Sequence, residues 1–274
     1  AVVAMSEPGP AERLAGELAD TNTRVLSGPE SLAELAADPE AEIVVCAVVG
    51  AAGLPAALAA ARAGKTLALA NKEALVVGGE LVMAAVRESN ATLLPIDSEH
   101  SAVFQAAQAG RTSEISRVIL TASGGPFRTW TAAQMADASV AQALNHPTWQ
   151  MGRKVTIDSA TLMNKALEVI EAKFLFDLDC SRIEVLVHPE SVIHSMVEFV
   201  DGSMIAQMGP ADMRGPIQYA LTWPRRRASV SGRLDLSRLR QLTFEPPDRQ
   251  RFGALDLAYR VGRDGGDSGA VLNG

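Results

Sequence analysis

The chain has 274 residues, 47% of them apolar and 21% charged, with a formal net charge of -7. That length suits one large domain or two ordinary ones, and the apolar share is enough for a sizeable core, which argues against disorder. The acidic balance, and a longest basic run of only Arg225-Arg226-Arg227 after Pro224, argue against nucleic-acid binding.

Ala1–Met5 reads as a strand, and Ala11–Asp20 has helical spacing. Ile43–Val49 is a continuous β-branched run ending at Gly50, the pattern of a strand covered on both faces in a parallel sheet. Leu54–Ala63 reads as a helix closed by Gly64; its Ala-rich stretch is too short for a membrane span and holds Pro55 and Arg62. Thr66–Ala70 is the next strand, Gly79–Ser89 the next helix and Leu93–Ile96 another strand. This order implies a doubly wound sheet, with ligands beyond the carboxyl ends of its strands. After residue 100, Ser101–Ala109 reads as a helix, Val118–Thr121 as a strand and Thr131–Ala143 as a weak helix. Asn145–Arg153 reads as a loop and Ser159–Phe176 as one amphipathic helix. Ile183–Val187, Ser195–Val200 and Met204–Met208 read as strands, with a turn at Asp201-Gly202, and the chain from Pro224 onward reads as loop. Cys46 and Cys180 read as reduced thiols, and no secretory leader pattern stands at the start, so a cytoplasmic location without membrane partners is expected.

Several groups along this path bear chemistry. Asp97-Ser98-Glu99-His100 follows the apolar run 93–96. If the backbone stays extended, Asp97 and Glu99 point to one side, and two close carboxylates favour a divalent cation. The alternative is a polar loop capping the helix near Ser101. In the Ser159–Phe176 helix, Asn164 and Glu168 share a face, as do Lys165 and Glu168. With Ser159 as N-cap, the helix start would offer a hydroxyl, an amide and a cation to an anion; the alternative is a surface salt bridge. Ser123-Gly124-Gly125 closes a strand, either as a backbone approach to an anion or as an ordinary tight turn. The loop from His146 to Gly152, with Trp149 and Met151, is either a lid or a plug at the core edge. Asn71-Lys72-Glu73 is a polar turn or a place for Lys72 beside a substrate. His188 and His194 read either as structural histidines or as supports standing behind a site's contacting residues.

Taken together, the stretches VVGAAGL, AGKTLALANKEALV, LLPIDSEHSAVFQ, ILTASGGPFR, HPTWQMGRKVTIDSATLMNKALEVIEAKFLF and VHPESVIHSMVEFVDGS closely resemble the 1-deoxy-D-xylulose 5-phosphate reductoisomerase family over roughly residues 43–224. The resemblance implies NADPH-dependent rearrangement and reduction of that phosphosugar to 2-C-methyl-D-erythritol 4-phosphate, for isoprenoid precursors, in a homodimer. It implies that Asp97, Glu99 and Glu168 hold Mg²⁺, Mn²⁺ or Co²⁺, and that Ser98 and Glu99 touch the substrate. It implies that Ser123, Ser159, Asn164 and Lys165 take the phosphate, that Lys72 stands in the active site, and that His146 contacts substrate. Trp149 and Met151 would form the lid; Asn71, Glu73 and Gly152 would contact NADPH.

The family's glycine-rich G-x-T-G-S-x-G turn, which cradles the NADPH pyrophosphate, does not occur in residues 1–274. The expected architecture is therefore α/β: an incomplete Rossmann-like domain over 1–96, then an α+β catalytic domain over 97–235. Residues 236–274 would be a linker and the start of a truncated C-terminal region. A metal-dependent phosphosugar-binding fragment without turnover, and an isomerase or lyase that rearranges without reducing, are the competing readings.

Overall fold

Ile43, Val44 and Val45 open a short strand that ends at Cys46, where the Cys46 carbonyl accepts from both Ala70 and Asn71 N–H. In the computed structural model, which describes residues 1–274, that strand belongs to the first of two compact units, 1–94 and 95–274. The first unit runs β1 (Val2–Met5), α1 (Pro8–Glu17), β2 (Arg24–Ser27), α2 (Ser31–Ala36), β3 (Ile43–Cys46), α3 (Leu54–Arg62), β4 (Thr66–Leu69), α4 (Glu73–Ser89) and β5 (Thr92–Pro95). β1 pairs with β2 and β3 with β4, both parallel, and β5 lies beside β4. The wound sheet expected from sequence is thus two parallel pieces, because no ladder joins β1 to β3. Ala57, Ala60 and Ala61 of α3 are fully buried, and their small side chains let the helix lie close to its neighbours. β2 and α2 were not foreseen; they are short, and their burial is mixed.

The second unit runs α5 (Ser98–Ala106), β6 (Ile115–Ala122), α6 (Ala132–Ala136), α7 (Val140–Ala143), α8 (Arg153–Ala160), α9 (Met163–Phe176), β7 (Ile183–Val187), β8 (Ile193–Phe199), β9 (Met204–Met208), α10 (Arg214–Thr222), α11 (Ala254–Asp264) and α12 (Ser268–Asn273). Its sheet has the order β7-β6-β8-β9; β6 and β7 are parallel, the other pairs antiparallel. α5 packs against β8, β9 and β6, and α9 against β7, while Arg117, Glu184 and Glu198 are side chains left part-exposed on β6, β7 and β8. This half-wetted sheet explains the alternating burial along β7.

Three expectations are corrected here. The weak helix expected over Thr131–Ala143 is two short helices, each begun by a capping box, Thr131 with Gln134 and Ser139 with Gln142. The single helix expected over Ser159–Phe176 is α8 and α9, broken where Leu162 takes the left-handed conformation at φ 58. The chain beyond Pro224 is not loop to its end. α11 packs on α9 through Leu255 and Ala258, while Tyr259 donates to the Ile183 carbonyl at 2.9 Å and Lys173 to that of Gly262 at 2.6 Å.

Candidate active site and metal centre

β5 ends at Pro95, and the chain turns straight into α5. Asp97 is the N-cap, its carbonyl accepting from Ser101 N–H at 2.8 Å, and Glu99 lies in the first helical turn. The backbone is therefore not extended through Glu99 as expected. The two carboxylates still converge, because an N-cap and the turn that follows it surround one helix end. α9 supplies the rest. Carboxylate oxygens of Asp97, Glu99 and Glu168 all lie within 4.8 Å of one another. Lys165 Nζ donates to Glu99 Oε1 at 2.6 Å and to Glu168 Oε2, and Asn164 Nδ2 donates to Glu168 Oε1 at 2.5 Å. Ser98 Oγ donates to Glu99 Oε2. This is no surface salt bridge, since Lys165 is 3% exposed and Glu168 0%. Burial alone would depress the Lys165 pKa, but the charges of Glu168 and Glu99 outweigh it and raise the pKa.

The charge balance fits a divalent cation. A fourth carboxylate, that of the fully buried Glu171, stands beside Asp97 and His100. Against four carboxylates stand Lys165 and one imidazole. Even with that ring protonated, two negative charges remain, the charge of one Mg²⁺ or Mn²⁺. The hard oxygen donors suit the same ions. His100 stood in the Asp97–His100 tetrad without a role of its own, and Glu171 was not singled out. Their signal was their spacing, three residues after Asp97 and Glu168, on helix faces already singled out.

A second group lies nearby in sequence terms, at Ser123 and His146. Gly124 and Gly125 have φ of 86 and 68, and a Cβ on Gly125 would fall 2.4 Å from the Ser159 carbonyl oxygen. Glycine is thus required, and the strand-end turn lies directly on the end of α8. His146 Nδ1 accepts from Trp149 N–H at 2.9 Å and Thr148 N–H at 3.2 Å. Its one hydrogen is therefore on Nε2, which donates to Ser123 Oγ at 3.0 Å. Burial lowers the His146 pKa, in keeping with this neutral ring. Ser123 Oγ also accepts from Gly125 N–H at 3.2 Å, which leaves its own hydrogen available for donation. Ser159 is not the N-cap expected. It lies in the last turn of α8, and its hydroxyl donates to the Val155 carbonyl at 2.8 Å.

Trp149 and His194, with rings 6.1 Å apart, line a cleft of about 230 Å³ together with Ser98, Gln207 and Asp212. His194 is a wall of this cleft; its Nε2 is 3.2 Å from the Gly209 carbonyl and burial lowers its pKa. His188 does have a structural role. It is fully buried, 2.8 Å from the Thr243 carbonyl, and accepts from Val192 and Ile193 N–H. Met151 is half-buried and Gly152 is the exposed N-cap of α8. Asn71, Lys72 and Glu73 belong to the first unit, at the β4–α4 turn, and are buried. α4 starts at Glu73, earlier than expected, with a kink at Gly78. Asn71 Oδ1 accepts from Ala74 N–H at 2.7 Å, and its Nδ2 donates to the Gly50 carbonyl at 2.8 Å and to that of Val48.

Fold and site define an α/β protein with an acidic centre that could hold a divalent cation beside hydroxyl, amide and ammonium donors. Comparison with known proteins makes that class specific. Residues 1–79 match the model of 1-deoxy-D-xylulose 5-phosphate reductoisomerase, 93–176 that of its C-terminal domain, and 208–274 a further DXP reductoisomerase C-terminal domain. The 1-deoxy-D-xylulose 5-phosphate reductoisomerase of Methylobacillus flagellatus is 55% identical over 274 residues, covering 98% of this chain and 70% of its own. That of Chlorobaculum tepidum is 53% identical, covering 99% and 71%. A crystal structure of DOX-P reductoisomerase in complex with NADPH, fosmidomycin and magnesium superposes with a TM-score of 0.95 at 46% identity, covering 99% of this chain and 69% of that one. The Zymomonas mobilis enzyme in complex with NADPH gives 0.92 at 47%, covering 99% and 70%. The chain belongs to the 1-deoxy-D-xylulose 5-phosphate reductoisomerase family.

Proposed function

We propose that this chain performs the reaction of its family: rearrangement of 1-deoxy-D-xylulose 5-phosphate and reduction to 2-C-methyl-D-erythritol 4-phosphate with NADPH, on the route to isoprenoid precursors. The observation that carries this reading is the meeting of Asp97, Glu99 and Glu168 around the buried Lys165. Asp97, Glu99 and Glu168 would hold Mg²⁺, Mn²⁺ or Co²⁺, which when bound polarises the substrate carbonyl and the adjacent hydroxyl. Ser98 and Glu99 orient the reacting end of the sugar. Ser123, whose hydroxyl hydrogen is available for donation, takes the phosphate together with Ser159, Asn164 and Lys165, so that binding energy at the phosphate aligns the reacting carbons. His146 contacts the substrate and, through its hydrogen bond to Ser123 Oγ, holds that hydroxyl as an acceptor. Trp149 and Met151 cover the site and exclude water.

NADPH, when bound, supplies the hydride. Asn71, Glu73 and Gly152 are the residues assigned to it, and Lys72 is assigned to the active site. The space around Gly152 is open, with nothing within 4 Å of where a Cβ would be, so the fold itself does not demand glycine there. By this reading residues 1–96 serve the cofactor and 97–235 the metal and sugar, while the segment 236–274 packs α11 against α9. No helix is long and apolar enough to cross a membrane. Both cysteines are free and buried, which supports a reducing, cytoplasmic location. A homodimer is the proposed assembly, and the exposed apolar side chains of edge strand β9, Met204, Ile205 and Met208, support it.

The test is an NADPH-oxidation assay with 1-deoxy-D-xylulose 5-phosphate and Mn²⁺, with the product identified by mass spectrometry. Metal-dependent appearance of the reduced, branched alcohol phosphate is expected. Metal-dependent binding of fosmidomycin without any NADPH oxidation would overturn the assignment in favour of a binding module.

A further inference from the structure

Behind the acidic centre stands a pair of side chains that the proposed chemistry does not use. His100 and Glu171 are each 0% exposed. The His100 ring stacks on Phe176 with centroids 6.3 Å apart and planes 10° from parallel, so its orientation is fixed. Nε2 lies 2.9 Å from the Glu168 carbonyl oxygen and therefore donates to it. Nδ1 is 3.2 Å from a Glu171 carboxylate oxygen and 3.9 Å from Asp97 Oδ2. One imidazole thus holds the backbone of Glu168, approaches the carboxylate of Asp97, and is braced from behind by Glu171. Glu171 is one turn beyond Glu168 on α9, so the helix that brings a carboxylate to the centre also brings the brace.

We propose that Glu171 is a positioning residue for the divalent cation: acting through His100, it sets the Asp97 carboxylate and the Glu168 turn at the separation that the ion requires. This rests on the reading of Asp97, Glu99 and Glu168 as ligands. Burying the Glu171 carboxylate costs desolvation that an apolar side chain of similar volume would not, and the imidazole at 3.2 Å is the partner that offsets it. Partners that orient metal ligands are worth roughly 10- to 100-fold in metal affinity.

The experiment uses the full chain and reads Mn²⁺ affinity by electron paramagnetic resonance, without sugar or NADPH. Glu171→Gln keeps the shape and removes the charge. His100→Gln keeps a donor where Nε2 stood and removes the contact to Glu171. Each is expected to weaken Mn²⁺ binding about 10- to 100-fold. The double variant should be no weaker than the poorer single one, because Glu171 acts only through His100. Wild-type Mn²⁺ affinity in a folded Glu171→Gln protein would overturn the proposal while leaving the metal reading intact. So would a double variant whose loss is the product of the single losses. So would a Glu171→Gln chain that fails to fold and is not rescued by Mn²⁺, since that would make the residue part of the core. A wild-type chain that binds no Mn²⁺ would overturn both readings.

Discussion

Two clusters in the second unit have the same formula, a cation between two glutamates. On the open face of the sheet, Arg117 sits between Glu184 and Glu198, with side chains 43%, 41% and 22% exposed. At the helix end, Lys165 sits between Glu99 and Glu168, with side chains 4%, 16% and 1% exposed. The first gains little from its charges, because water and salt screen them. The second has removed three charges from water, a loss that their mutual attraction only partly offsets. Charge count does not distinguish a site from a solvated surface; burial of that charge does.

Lys165→Met should sharpen this contrast most. It leaves Glu99 and Glu168 facing each other without a counter-charge, and breaking a buried cluster of this kind costs about 3–5 kcal/mol. Chemical denaturation without divalent metal is the measure, and added Mn²⁺ should restore part of the loss. Next in size, Glu168→Gln should weaken Mn²⁺ binding by at least about 100-fold, more than the loss of an orienting partner, while circular dichroism stays unchanged. Unaltered affinity would remove Glu168 from the ligand set. Gly125→Ala places a side chain against the Ser159 carbonyl at a left-handed φ, and a loss of about 1–3 kcal/mol is expected in denaturant titrations. A pH series gives a smaller effect. Burial lowers the His146 pKa in the folded chain, so the unfolded chain takes up the proton first. Its contribution to stability is whole above the ordinary value of about 6.5 and is lost as pH falls below it. His194 shifts in the same direction, so the melting curve of His146→Gln, set against wild type, isolates the part that belongs to His146. Smallest of all, Arg117→Met should change stability by about 1 kcal/mol or less. A loss matching that of Lys165→Met would break the comparison.

Much of the site was legible in the chain because its residues are few and local. Asp97 and Glu99 follow an apolar strand, and Asn164, Lys165 and Glu168 share a helix face. What spacing could not supply was depth. The same Lys165–Glu168 pair reads as a surface bridge until α5 and the sheet are placed over it. The break at Leu162 was hidden because 153–176 is helix-forming on both sides, and a leucine gives no warning of a positive φ. α11 was missed for the opposite reason. Gly and Asp residues around it suggested loop, while the pattern of Leu255, Ala258 and Tyr259 carried the helical period. His100 needed tertiary structure, since its partners lie 68 and 71 residues along the chain.

The Leu162 elbow has one more consequence. Each residue of an α-helix turns its successors by about 100°. α9 starts immediately after the elbow, and α8 is pinned to the glycine turn at Gly125. Adding or deleting a single residue at 161–162 would therefore swing the whole acidic face of α9 away from α5, as if a key had been cut one notch out of phase. Surface loops elsewhere can change length at little penalty; this two-residue joint tolerates no change in length.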